Sequence, residues 1–137
     1  MIVDLTSFGF KTNDLPEANY IVDVRFLNNP FYVDELRPLT GLDTEVIRFF
    51  ENDNEIKSFI KELTSWLKYI INLNIKAKKE KVTIAIGCTG GQHRSPYVVE
   101  NIVKELNKEK SISEISIYHR ELKKYNVTEM FDAFSKN

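Results

Sequence analysis

Apolar and polar positions follow two rhythms along this chain, and the switches between them set the expected elements. Residues 2–10 alternate loosely as a short strand, and residues 20–26 make a second one rich in β-branched and aromatic side chains. Asn13, Asp14 and Pro16 carry turn chemistry between them. Residues 28–43 show no period, and Pro38 and Gly41 make a long helix there unfavourable. A loop of that length is often functional, and it can equally cover a sheet edge. Helical rhythm starts after Asp43 or Thr44, either of which can cap a short helix over Val46, Ile47, Phe49 and Phe50. Asp53 can cap a longer helix in which Ile56, Phe59, Ile60, Leu63, Leu67, Ile70 and Ile71 recur at three and four. That stripe belongs to the core, with Trp66 at its margin.

A third strand at residues 82–86 runs into Gly87-Cys88-Thr89-Gly90-Gly91-Gln92-His93-Arg94-Ser95-Pro96. Val98, Val99, Ile102, Val103 and Leu106 then repeat at helical spacing, with Ser95 suited to the cap and Pro96 to the first turn. Residues 113–118 give a last strand, and 119–124 continue from its C-terminal end. This succession is the grammar of a single α/β domain with a largely parallel sheet flanked by helices. Ligands of such sheets collect beyond the carboxyl ends of the strands, where Arg25, the Gly90-Gly91 loop and His119-Arg120 all fall. An anion site is expected there.

A chain of 137 residues fits one domain. With 42% apolar and 28% charged residues and no apolar run near the roughly 20 residues of a span, membrane insertion is not expected. The start lacks a secretory signal pattern and one cysteine cannot form an internal disulfide, so a cytoplasmic setting is expected. A net charge of −1 argues against a dominant electrostatic grip on nucleic acid. Local basic density remains at Lys76, Lys78, Lys79 and Lys81, and at Arg120, Lys123 and Lys124. The first cluster suits a solvated helix C-terminus, where lysines oppose the dipole; RNA contact is the alternative.

The chemistry concentrates after the third strand. A glycine pair lets successive N–H groups converge on a ligand, the following helix adds its positive end, and Arg94 offers a permanent bidentate charge. Thr89, Gln92, His93 and Ser95 add polar groups, and both histidines, His93 and His119, immediately precede an arginine. Asp23 and Arg25 can form a structural ion pair or take part in the site, and Arg37 is similar. Cys88 to Arg94 also satisfies the Cys-x-x-Gly-x-x-Arg pattern of Cys-dependent phosphatases. Gly87 stands where those enzymes commonly have histidine, and no general-acid aspartate announces itself, so Cys88 is read first as a small buried residue. The aspartates are too scattered to nominate a metal site.

Several ordered segments resemble the C-terminal domain of the RapZ/YvcJ family, bacterial RNase-adapter and nucleotide-binding proteins. They are Phe8-Gly9-Phe10-Lys11, Asp23-Val24-Arg25-Phe26-Leu27, Asn29-Pro30, Leu36 to Asp43, Ile86 to Ser95 and His119-Arg120. The resemblance implies an α/β domain that binds an amino-sugar phosphate, glucosamine 6-phosphate being the family precedent. Thr89, Gly90, Gly91, His93 and Arg94 match the loop expected to hold the phosphate; Gln92, Ser95, Arg25, Asn29, Arg37, His119 and Arg120 complete the candidate ligand set. No cofactor is implied beyond phosphate, sulfate or such a metabolite as ligand. In adapters the domain also contributes to small-RNA binding, to work with an RNase and to self-association. Two departures stand out. The P-loop pattern of the family's N-terminal kinase-like domain is absent from these 137 residues, so NTP hydrolysis is not carried over. Phe31 follows Asn29-Pro30 where the family commonly has histidine.

Overall fold

The structure, a computed structural model, describes residues 1–125 and the backbone of residues 131–135, with side chains through residue 123. Strands β1 (Ile2–Gly9), β2 (Tyr20–Asp23), β3 (Lys81–Cys88), β4 (Glu114–His119) and β5 (Phe131–Ser135) form one sheet in the order β2-β3-β1-β4-β5. The first four run parallel and β5 is antiparallel to β4. Helices α1 (Thr44–Glu51), α2 (Asn54–Lys76) and α3 (Arg94–Leu106) complete the α/β domain.

Register explains which face the helices cover. Val3 aligns with Val82 and Ile115, and Leu5 with Ile84 and Ile117, so alternate residues of three strands form one apolar surface. Those residues join Val46 and Phe50 of α1, Ile56, Leu63, Leu67 and Ile71 of α2, and Val98, Val99 and Ile102 of α3 in one core. Burying each such side chain stabilises the fold by about 1.5–3 kcal/mol before entropy is charged. The opposite face carries Asp4, Thr6 and Thr83, all only partly buried, with Asp4 paired to Lys81 at 2.9 Å. The helices therefore pack on one face of the sheet.

The expected elements are present with shifted ends. The second strand stops at Asp23, three residues earlier than its apolar run, because Asp23 turns the chain by accepting from Arg25 N at 2.9 Å. Asp53 caps α2 through Glu55 N and Ile56 N. Asp43 precedes α1 but makes no side-chain cap; its carboxylate accepts from Thr40 N at 2.7 Å instead. Ser95 is not the cap of α3 either: the helix begins at Arg94, and Ser95 sits buried inside the first turn with Pro96. The 28–43 loop contains a short 3-10 turn, Pro30–Tyr32. Residues 131–135, unassigned from the sequence, form β5. The side chain of Lys124, part of the second basic cluster, lies outside the described residues.

Candidate functional site

Parallel strands bring Gly9, Asp23, Cys88 and His119 to the same end of the sheet. The loop between β3 and α3 is shaped by two different glycines. Gly91 has φ +69°, and a Cβ there would meet Gly9 N and Phe8 C at 2.8 Å, so only glycine fits. A Cβ on Gly90 would meet nothing within 4 Å, because Gly90 faces a cavity.

That cavity, about 320 Å³, is lined by Thr89, Gly90, Gln92, His93 and Arg94 of the loop, Cys88 at its root, Lys11 from the turn after β1, and Asn29, Phe31 and Tyr32 from the long loop. Two cations line it and no carboxylate does. Arg94 is only 5% exposed and forms no ion pair among the described residues. Its guanidinium donates to Arg25 O (2.6 Å), Leu27 O (3.1 Å) and Thr89 Oγ1 (3.3 Å). Its field also reaches Asp23, whose carboxyl is held below the usual range mainly by hydrogen bonding from Arg25 and secondarily by these charges. A buried guanidinium bonded to neutral acceptors keeps its charge available to an incoming anion.

The neighbouring side chains tie the long loop down. Gln92 Nε2 donates to Arg37 O (2.6 Å) and Leu39 O (2.7 Å), and Gly41 N donates back to Gln92 O. His93 Nε2 lies 2.9 Å from Leu36 O; a carbonyl only accepts, so this nitrogen carries the proton. Burial pushes the His93 pKa below its ordinary value, which keeps the ring neutral near pH 7. Ser95 Oγ contacts Phe8 O (3.3 Å) and Cys88 Sγ (3.2 Å), fixing α3 against the strand ends.

The remaining candidates lie outside the cavity lining. Arg25 is half-exposed, binds Asp23 at 2.7 Å and stacks on Phe10 at 4.1 Å. Arg37 pairs with Asp34 and lies over the Phe31 ring at 5.0 Å. Buried His119 spans Ser7 Oγ (2.7 Å) and Glu100 Oε2 (2.8 Å) under α3. Arg120 binds Thr12 Oγ1, Asp14 O and Glu121, whose carboxylate also accepts from Gly9 N. Arg120 and Glu121 brace the turn that carries Lys11, Arg37 braces the Phe31 turn, and His119 ties β1 to α3. Lys11 and Tyr32 were not among the sequence candidates. Lys11 lies within a matched segment, and its backbone N–H bonds Thr89 O at 3.0 Å. Among the described residues no group of three His, Cys, Asp or Glu side chains could hold a metal, and no helix is long and apolar enough to cross a membrane.

A four-stranded parallel sheet with its cavity at the carboxyl ends, bordered by a glycine loop and a helix start, defines an α/β domain with a strand-end site. The chain belongs to the RapZ C-terminal domain family, whose model matches residues 1–123. It is 46% identical over 123 residues to a protein of Lactobacillus acidophilus described as nucleotide-binding, covering 90% of this chain and 41% of that one. A protein of Caldanaerobacter subterraneus subsp. tengcongensis with the same description is 43% identical over 122 residues, covering 89% and 42%. The chain thus spans about two fifths of the length of the curated relatives it matches.

Proposed function

We propose that this domain is a regulatory module that binds a phosphorylated small molecule, an amino-sugar phosphate being the form the family resemblance implies. The observation that carries this reading is the cavity's lining: Arg94 and Lys11 supply positive charge, Gly90 leaves open room, and no carboxylate competes. Thr89 and the start of α3 add donors of the kind phosphate oxygens accept. His93 and Gln92 act as struts for the wall rather than as primary ligands, because their side chains already bond loop carbonyls. Partnership with small RNA and an RNase is proposed at a separate surface. Lys76, Lys78 and Lys79 lie exposed before the amino end of β3, away from the cavity.

Thermal shift and titration calorimetry with inorganic phosphate and glucosamine 6-phosphate test the reading. A ligand at a hundredfold its Kd adds about 2.7 kcal/mol of stability. Lys11→Ala should weaken binding several-fold with little effect on folding, since its side chain is exposed; Arg94→Ala should weaken it more and also release two loop carbonyls. No heat and no shift with either anion would reject the proposal.

A second reading has one observation in its favour. Cys88 lines the cavity, and its sulfur receives Ser95 N–H at 3.4 Å beside Ser95 Oγ, an arrangement able to support a nucleophilic thiolate six residues before Arg94. Hydrolysis of an aryl phosphate by the wild-type chain, lost in Cys88→Ser with anion binding kept, would install phosphatase chemistry in place of a binding module.

A further inference from the structure

Helices α2 and α3 pack against each other, and the groove between them gathers charge that nothing beside it balances. Lys57, Lys61 and Lys68 of α2 and Lys104 in the last turn of α3 line one hollow there, of about 460 Å³. The chain's net charge is −1, so four cations in one hollow are a local arrangement and not the mark of a basic protein. None of the four forms an ion pair among the described residues. The one carboxylate of the lining, Glu105, bonds instead to Lys108 at 3.1 Å, which does not line the hollow. Lys57 and Lys61 stand four residues apart, the spacing at which like charges on a helix repel. Lys68 is half-buried, which makes an ammonium without a counter-charge costlier still. A second feature of the same lining is independent of charge. Thr64 is 4% exposed, and its Oγ1 is buried with no hydrogen-bond partner among the described residues. Such a hydroxyl has a proton to donate and nothing to receive it. Thr64 lies three residues after Lys61 and four before Lys68, so it shares their face of α2.

We propose that this groove is a second anion site, separate from the strand-end cavity, and that it takes a compact polyanion with two or more charged groups. No residue lines both hollows. The cations of α2 extend over about three helical turns, so a single phosphate cannot meet them all, whereas two or three linked anionic groups can. Ammonium groups are point charges without the planar fork of a guanidinium, and they select charge density over shape. The ring of the lining is that of Tyr97, 6% exposed and packed on Phe50 with centroids 4.5 Å apart, so no open aromatic face is offered to a base. Thr64 and the neighbouring Ser65 supply hydroxyl donors to fix one anionic group against α2. The volume is that of a small-molecule site. Two sources share this chemistry, an oligophosphate and a tricarboxylate.

Titration calorimetry with tripolyphosphate, citrate and orthophosphate on the wild-type chain, Lys61→Gln/Lys104→Gln and Thr64→Val tests the site. Tripolyphosphate should bind about tenfold or more tightly than orthophosphate, and its affinity should fall with added salt. Lys61→Gln/Lys104→Gln changes two exposed positions and should weaken tripolyphosphate by about fivefold to tenfold, with melting held or raised as the repulsion is relieved. Thr64→Val should weaken it by about threefold or more, while melting without anion is held. Citrate binding as tightly as tripolyphosphate identifies a tricarboxylate; much weaker citrate identifies an oligophosphate. Polyanion binding lost in Lys11→Ala and kept in both groove variants belongs to the strand-end cavity and overturns the second site. Equal affinity for orthophosphate and tripolyphosphate overturns it too. So does the absence of binding by both polyanions, and a poly-glutamate peptide held by the groove in that case would put an acidic protein segment in their place.

Discussion

Replacing each glycine of the loop by alanine should give opposite results one residue apart. At Gly91 the backbone is left-handed, which costs a non-glycine residue about 1–2 kcal/mol. The new methyl would also stand 2.8 Å from Gly9 N and Phe8 C, both backbone atoms at the carboxyl end of the central strand β1. Forcing such a contact adds about 1–3 kcal/mol, because neither atom can rotate away. Together the two effects come to about 2–5 kcal/mol; with roughly 3–4 °C lost per kcal/mol at this length, melting should fall by about 6–20 °C. At Gly90 the same methyl meets nothing within 4 Å and the backbone is not left-handed, so stability should hold within about 0.5 kcal/mol. That methyl would occupy cavity space, and phosphate affinity should drop. Denaturant melts and calorimetry on both variants make the comparison. A Gly91→Ala protein melting with the wild type would refute the left-handed, backbone-packed conformation, and a Gly90→Ala protein as damaged as Gly91→Ala would refute the open position facing the cavity.

Two further outcomes follow from buried polar groups. The fold favours neutral His93, while the unfolded chain takes up a proton near pH 6.5; below that value the unfolded state binds more protons, so stability should decline as pH falls toward the lower folded pKa. Urea titrations from pH 7.5 to 5 should show this slope in the wild type and a shallower one in His93→Gln; equal slopes would count against burial of the ring. Thr64 Oγ1 is buried without a partner among the described residues, in the core stripe of α2. Thr64→Val should therefore keep or raise stability, by up to about 1 kcal/mol, and a clear loss would reveal a bonded hydroxyl.

Elements whose rhythm comes from burial were open to reading in the sequence. Ile56, Leu63, Leu67 and Ile71 recur because one face of α2 meets the sheet, and Asp53 caps it through groups two and three residues away. Ser95 and Asp43 misled for the converse reason. Their hydroxyl and carboxylate look like caps locally, but Ser95 answers to Phe8 O, 87 residues distant, and Asp43 to Thr40. The glycine turn between β3 and α3 was legible, yet the side chains of Gln92, His93 and Arg94 are directed at carbonyls 53 to 69 residues away. No local pattern announces such partners. Lys11 escaped because an isolated lysine in a turn carries no motif; it reaches the cavity by the register that sets Gly9 beside Cys88.

The struts that hold the long loop end on main-chain oxygens: Gln92 on residues 37 and 39, His93 on 36, Arg94 on 25 and 27. A carbonyl is the same group whatever side chain its residue bears. The wall of the cavity can therefore exchange its side chains while its attachment to the loop of glycines stays intact. Scaffold and cavity surface are carried by different atoms of the same segment, so the chemistry of the lining can change without rebuilding the fold beneath it.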